Sequence, residues 1–136
     1  MNNDISSLWG ILDRIVQQVR QNLIKLIVIA NDGCSIREVL HPAHGDCVLP
    51  YSLALADVAA GEATCRHRLD RIEVYCVLEG AGRLHVDDET VLLGPGDTAL
   101  VPAGAVQWIE NTGTVSLRFA AIVSPPWAAD GDERVA

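Results

Sequence analysis

Residues 1–33 and the remainder of the chain follow two different patterns of apolar and polar positions. From Ile5 to Ile27, apolar residues recur at steps of three and four, which is typical of one face of an amphipathic helix. These positions are Ile5, Leu8, Trp9, Leu12, Ile15, Val16, Val19, Leu23, Leu26 and Ile27. The pattern predicts an N-terminal helix. The β-branched run Ile24 to Ile29 leaves open that the chain instead turns into a first strand before the Asn31-Asp32-Gly33 turn.

After Gly33 the pattern changes to short β-type runs that are separated by Gly, Pro and Asn turn signals. The runs are Ser35 to Leu40, Tyr51 to Ala59, Ile72 to Leu78, Arg83 to Val86, Thr90 to Leu93, Thr98 to Val101, Val106 to Glu110 and Val115 to Val123. Their regular spacing is typical of an all-β sandwich or barrel. We therefore predict a helix and connector over residues 1–33, a β-barrel over 34–127 and an acidic, frayed tail over 128–136.

The length and net charge of the chain exclude several classes of function. A chain of 136 residues is the size of one domain, and its net charge of −8 repels nucleic acid. The apolar stretch Leu23 to Ala30 is too short to span a bilayer, and the first residues lack the basic start of a signal peptide. The four cysteines are too unevenly spaced for a paired-thiolate zinc site. We expect a cytoplasmic protein with reduced thiols and no membrane or nucleic-acid partner.

Two spaced motifs carry a family resemblance. The first comprises Gly61, His67, Leu69, Glu73 and Gly80, and the second comprises Gly96-Asp97, Pro102, Gly104, Gln107 and Asn111. In type and spacing, these segments resemble the paired motifs of the cupin superfamily, and all anchoring positions except Leu69 and Gln107 carry the family residue. The resemblance implies a double-stranded β-helix, or jelly-roll barrel. It also implies that the face of Glu73, Tyr75 and Val77 looks into the barrel.

The two positions that differ from the family motifs, Leu69 and Gln107, are positions where the family has metal-binding histidines. In the family, two histidines and a glutamate of the first motif and a histidine of the second hold a divalent metal. Here Leu69 and Gln107 replace two of the histidines. One interpretation is a weak site for iron, zinc, nickel or manganese, made by His67, Glu73, Gln107 and water. The other is a metal-free barrel in which His67 and Glu73 form a hydrogen-bonded pair and Gln107 donates to the carboxylate.

Other residues near the motifs are weaker candidates for a catalytic or metal-binding role. Tyr75 is a catalytic candidate beside His67 and Glu73, because it presents a hydroxyl at an inward position. Strand alternation sends His85 outward, since Leu84 and Val86 are apolar. His41 and His44 lie in a turn-rich stretch that could cover a barrel mouth, but a histidine in a loop is usually only solvated, and we assign them no ligand role.

The resemblance implies that a small polar ligand binds inside the barrel. The protein would then be a metal-assisted isomerase, lyase or dioxygenase, or a sensor or binding module. The alternative is a metal-free accessory module whose N-terminal helix mediates dimerisation or partner docking. We expect a homodimer, because the long apolar stripe of the helix needs to be covered.

Overall fold

A computed structural model describes residues 10, 11, 14, 28–31, 34–44 and 48–136. The strands, in chain order, are β1 Val28–Asn31, β2 Cys34–Leu40, β3 Ser52–Val58, β4 His67–Leu69, β5 Ile72–Glu79, β6 Gly82–Val86, β7 Glu89–Leu93, β8 Thr98–Val101, β9 Val106–Asn111, β10 Leu117–Ser124 and β11 Asp132–Arg134. Short 3₁₀ turns occupy Pro42–His44 and Ala129–Gly131. No helix interrupts residues 51–123, all of which are described, so the all-β prediction is confirmed.

The strands form two antiparallel sheets that pack as a β-sandwich. One sheet has six strands in the order β1-β2-β3-β10-β5-β8, and the other has five in the order β11-β4-β9-β6-β7. Apolar side chains from both inner faces make one core, whose largest fully buried members include Val58, Tyr75, Val77, Leu84, Val101, Ile109 and Leu117. Burial of this apolar surface is the main force holding the two sheets together.

Strand alternation determines which side chains reach the interior. On β5, Glu73, Tyr75 and Val77 are buried, whereas the intervening Val74 and Cys76 are only half-buried. On β9, Gln107 and Ile109 are buried in the same way. The inward face that the sequence predicts for Glu73, Tyr75 and Val77 is confirmed, because successive side chains of a strand point to opposite faces.

The outer face of the six-stranded sheet carries an apolar row. Leu53, Ile122, Val74 and Leu100 lie opposite one another on four neighbouring strands. Leu100 is 62% exposed, at the end of the row. We call these four residues the outer apolar row.

The C-terminal segment corrects one prediction. Residues 128–136 were expected to fray, but Asp132–Arg134 form β11 and pair with β4. The short strand β4 was also absent from the predicted runs. Without β11, β4 would be an unprotected sheet edge, and pairing satisfies its backbone groups. The sequence of the tail does not predict this pairing, because β11 is short and contains no run of β-type residues.

The predicted N-terminal helix lies almost wholly outside the described residues. The three described residues of that segment, Gly10, Ile11 and Arg14, have helical backbone. The open alternative of a first strand is confirmed in part, because Val28–Asn31 form β1 and Asn31 lies opposite Cys34 on β2. Within the part of the chain that the structure describes, no helical segment could span a lipid bilayer.

Gly80 closes the turn between β5 and β6 and cannot carry a side chain without strain. Its φ is +79°, in the left-handed region that favours glycine. A Cβ on Gly80 would also lie 2.7 Å from the carbonyl oxygen of Ser116, which is backbone and cannot move aside easily. Gly96 has a similar φ of +86°, but a Cβ there would meet nothing within 4 Å.

These two glycines separate the cost of backbone conformation from the cost of steric overlap. Gly96→Ala should lower the free energy of unfolding by about 1 to 2 kcal/mol, the usual cost of left-handed backbone. Gly80→Ala should lower it by at least about 1 kcal/mol more, because the Cβ overlaps backbone. Urea denaturation of both variants measures the difference. Equal losses would contradict the close approach at Gly80.

Candidate functional site

A cavity of about 500 Å³ lies at the inner face of the six-stranded sheet. Its wall is mostly apolar and includes Leu69, Phe119, Val123 and five alanines, Ala54, Ala56, Ala121, Ala128 and Ala129. Most of the wall's surface is hydrocarbon, and the residues that bring polar groups to it are Glu38, His41, His44, Ser52, Thr64, Cys65, His67, Glu73, Tyr75, Asp132 and Arg134. A pocket with apolar walls and a small number of polar groups is the usual form of a small-molecule site.

His67 enters the cavity from β4 in a fixed orientation. Its Nδ1 lies 2.9 Å from the carbonyl oxygen of Cys65. Because a carbonyl only accepts hydrogen bonds, Nδ1 carries the proton and donates it. Nε2 is therefore the nitrogen that faces the cavity, and it lies 3.7 Å from Oε2 of Glu73.

Glu73 approaches His67 from the opposite sheet and is only 7% exposed. The separation of 3.7 Å is an ion-pair distance, too long for a direct hydrogen bond. Oε2 of Glu73 has no hydrogen-bond partner among the described residues. A buried carboxylate oxygen without a partner is costly, which marks this atom as a place where a ligand group or water would bind.

The environment raises the pKa of His67 above its ordinary value of 6.5. Burial is the largest influence and lowers the pKa, but it is outweighed by the contact with Glu73, the carbonyl of Cys65 and the charge of Asp132. The charged form of His67 is thus favoured by its acidic neighbours.

Tyr75 and Gln107 form a separate pair at the interior. The Tyr75 hydroxyl donates to Oε1 of Gln107 at 2.8 Å, and both residues are buried. Burial, assisted by the charges of Glu73, Cys34 and Asp132, raises the pKa of Tyr75 well above its usual value. The hydroxyl therefore stays protonated and orients Gln107. Nε2 of Gln107 is a second buried polar atom with no partner among the described residues.

The interior residues do not fit the four-ligand metal site that the resemblance implies. His67 and Glu73 are strong ligands, but Leu69 is buried and offers only hydrocarbon. Gln107 lies opposite His67 in the strand register, yet its amide oxygen already accepts the Tyr75 hydroxyl. His67 and Glu73 therefore provide two ligands of that set, and Leu69 and Gln107 do not complete it.

A second polar cluster lies elsewhere on the cavity wall. Glu38, His41 and His44 offer ligand atoms that all lie within 4.8 Å of one another, and each residue is half-buried. Nε2 of His44 is 2.8 Å from Oε1 of Glu38. Among the described residues, this is the only such group of three or more His, Cys, Asp or Glu side chains. We call it the mouth cluster.

The sequence indicates part of this cluster. His41 and His44 belong to the turn-rich stretch that could cover a barrel mouth, and the structure places both on the cavity wall. Glu38 was not singled out, although its spacing of three residues from His41 and six from His44 is readable in the sequence. The sequence does not predict that the backbone turns at Pro42–His44 and brings the three side chains together.

Trp127 covers the cavity from the C-terminal segment. Its backbone N–H donates to Oγ of Ser52 at 2.9 Å, and its indole Nε1 donates to Oδ2 of Asp132 at 3.0 Å. Its carbonyl oxygen lies 2.8 Å from Nε2 of His41. Trp127 is thereby docked on strands β3 and β11. These contacts also bring Asp132, a cavity residue that sequence reasoning missed, into place.

His85 lies outside the site, as strand alternation predicts. Its ring stacks on Trp108 with centroids 4.2 Å apart, and its Nε2 lies 3.1 Å from Oε1 of Glu110. The guanidinium of Arg66 covers Trp108 at 4.4 Å from the ring centroid. These residues form an outer-face stack, and none of them is among the residues that line the cavity.

Comparison with known proteins agrees with this architecture. Residues 54–123 match the family model of the cupin domain. The chain is 37% identical over 106 residues to Uncharacterized protein MJ1618 of Methanocaldococcus jannaschii. The aligned region covers 77% of this chain and 84% of that protein.

Two solved structures show the same fold at low sequence identity. Oxalate decarboxylase of Bacillus subtilis, described with Mn(II) centers, superposes with a TM-score of 0.74 at 21% identity. The match covers 83% of this chain but only 31% of that chain, so this protein spans about a third of it. The polyketide cyclase RemF of Streptomyces resistomycificus gives a TM-score of 0.67 at 18% identity and covers 84% of this chain and 82% of its own.

The contact between His67 and Glu73 should make stability depend on pH. Because the pKa of His67 is raised in the folded state, its stabilising contribution is fully present below 6.5 and is lost as pH rises through the folded pKa. Urea denaturation between about pH 5 and pH 9 should show this loss in the native protein. The loss of stability with rising pH should be smaller in both His67→Gln and Glu73→Gln. An unchanged pH profile in His67→Gln would contradict the pairing.

Proposed function

Since the chain belongs to the cupin superfamily, we propose that it binds a small organic ligand in the cavity and that His67 and Glu73 act on the ligand as an acid–base pair. The observation that carries this proposal is the buried, unpartnered Oε2 of Glu73, which faces Nε2 of His67 at 3.7 Å. Two titratable groups at this distance, on the wall of an apolar cavity, are positioned to accept and return a proton.

The cavity wall defines the class of ligand. Most of the wall is hydrocarbon, from Leu69, Phe119, Val123 and the alanines, so the ligand needs an apolar body to gain from burial. Glu73 is an acceptor when ionised, so the ligand also needs a hydroxyl or N–H group to donate to Oε2. A ligand with an apolar body and one such donor satisfies both requirements.

The geometry favours reactions that move a proton. Nδ1 of His67 is held by the Cys65 carbonyl, which leaves Nε2 as the atom that exchanges a proton with the ligand. Glu73 on the opposite sheet stabilises the protonated imidazole. An isomerisation or elimination that needs one base and one acid would use this pair directly. Tyr75 is a positioning residue here, because its hydroxyl is committed to Gln107.

A second candidate function, an accessory module that pairs with another subunit, is favoured by the outer apolar row. Leu53, Ile122, Val74 and Leu100 present hydrocarbon on the outer face, with Leu100 62% exposed. The neighbouring Ile72 and Leu78 are 40% and 45% exposed. A contiguous apolar surface of this kind is typical of a subunit interface. We propose a homodimer that is formed through this row, with ligand binding retained in each subunit.

The ligand proposal is tested with two pairs of molecules that differ in a hydroxyl, phenol against toluene and cyclohexanol against cyclohexane. Titration followed by ligand-observed NMR should show tighter binding of the hydroxyl member, by about tenfold, which is the effect of one hydrogen bond to a charged acceptor. Glu73→Gln should remove most of that advantage. Glu110→Gln, which removes a carboxylate from the outer-face stack, should leave it intact.

Three outcomes would count against the ligand proposal. They are no binding by any of the four molecules, equal binding within each pair, and a hydroxyl advantage that persists in Glu73→Gln. Ala121→Phe offers a further check, because it fills the cavity from β10 and should abolish binding. Its thermal unfolding confirms that the variant is folded.

The dimer proposal is tested by light scattering. The native chain should give about twice the chain mass, and Leu100→Glu should shift the mass toward the monomer, since a charge in an apolar interface is costly. Leu92→Glu is the matched control, because Leu92 is 67% exposed on the outer side of the other sheet. A native monomer at micromolar concentration, or equal effects of the two substitutions, would refute an interface at this row.

A further inference from the structure

We propose that the mouth cluster, Glu38, His41 and His44, is a binding site for a divalent transition-metal ion. The site is separate from the His67–Glu73 pair and does not depend on the acid–base proposal. It also lies outside the matched cupin domain, which begins at residue 54. The donor set, the orientation of the three side chains and the cavity that they line all favour a bound metal ion.

The donor set suits a transition metal. Two imidazoles and one carboxylate form the protein ligand set of catalytic zinc sites and of mononuclear iron(II) sites, both of which keep open positions for water or substrate. Calcium and magnesium prefer oxygen ligands and are disfavoured by two nitrogens. The ligand atoms lie within 4.8 Å of one another, so small side-chain movements would bring all three onto one ion.

The hydrogen bonds of His41 leave one nitrogen suited to a metal. The backbone N–H of Ala43 donates to Nδ1 at 3.1 Å, so Nδ1 holds the lone pair. Nε2 then carries the proton and donates it to the carbonyl of Trp127 at 2.8 Å. Metal-bound histidines usually donate their other N–H to a carbonyl or carboxylate, which fixes the ring. Coordination through Nδ1 would cost only the bond from Ala43.

Glu38 and His44 supply the other two ligands from a shared contact. Oε1 of Glu38 lies 2.8 Å from Nε2 of His44. Glu38 lies opposite Ala54 in the strand register, so it belongs to the inner face of the six-stranded sheet. A cation between the two groups would replace their direct contact by two metal–ligand bonds.

The surroundings favour a cation. All three residues line the cavity, so the open coordination positions of a bound ion would face the space where a ligand binds. The chain carries a net charge of −8, which raises the local concentration of cations near its surface. An ion here would hold an oxygen of the ligand, at a position on the wall distinct from His67.

Cobalt(II) titration tests the site, because its visible absorption reports the ligand set. Protein without a histidine tag, stripped with a chelator and kept reduced, should bind one equivalent of cobalt(II) with a spectrum that lacks thiolate charge-transfer bands. Glu38→Gln, His41→Gln and His44→Gln should each weaken binding by at least about tenfold. Zinc(II) should displace the cobalt(II), as measured by loss of absorption.

Two histidine variants serve as matched controls. His67→Gln removes the interior imidazole, and His85→Gln removes a histidine that also contacts a carboxylate, Glu110, on the outer face. Both should bind cobalt(II) as the native protein does. Absence of a saturable site, thiolate bands, loss of binding in His67→Gln or His85→Gln, or full binding in any of the three cluster variants would each overturn the assignment. Circular dichroism of each variant shows whether the fold is retained.

Discussion

A carboxylate buried between two apolar sheets is unfavourable unless a nearby charge or hydrogen bond offsets the loss of hydration. In the interior of this protein, that constraint governs the placement of Glu73 and His67. Glu73 is 7% exposed, at a point where the six-stranded sheet faces the other sheet. Burying a charge in such a place costs several kcal/mol unless opposite charge or hydrogen bonds offset it. His67, which comes from the opposite sheet, supplies the opposite charge at 3.7 Å. The contact therefore links the two sheets as well as forming the site.

The place of the cavity follows from the sizes of the inward side chains. In the six-stranded sheet, one cross-strand row joins Glu38, Ala54, Ala121 and Tyr75. Two alanines in the middle of that row leave a gap which larger residues would fill. Elsewhere in the interior, Val58, Leu84, Ile109 and Leu117 are fully buried and close the space between the sheets. The cavity is thus a region of small side chains bordered by a well-packed core.

The sequence predicted those parts of the protein that depend on local pattern. Alternation along β5 put Glu73, Tyr75 and Val77 on one face, and alternation along β6 put His85 outside, because the side-chain period of a strand is fixed. Fixed spacing between turns identified the cupin motifs. Strand β11 was not predicted, since its place depends on the unpaired edge of β4, far away in the chain. The mouth cluster was missed for a similar reason, because the turn that gathers it has no apolar pattern.

Trp127 shows how the C-terminal segment and the site are physically connected. Its carbonyl binds His41 of the mouth cluster, its indole binds Asp132 of β11, and its backbone N–H binds Ser52 of β3. Asp132 in turn is one of the charges that favour protonated His67. A movement of Trp127 away from the cavity would therefore alter both polar clusters on the wall. It would remove the acceptor that orients His41, and it would release the carboxylate that helps to set the charge of His67. The cover over this cavity is consequently part of its electrostatics, because its hydrogen bonds help to set the orientation of His41 and the charge of His67.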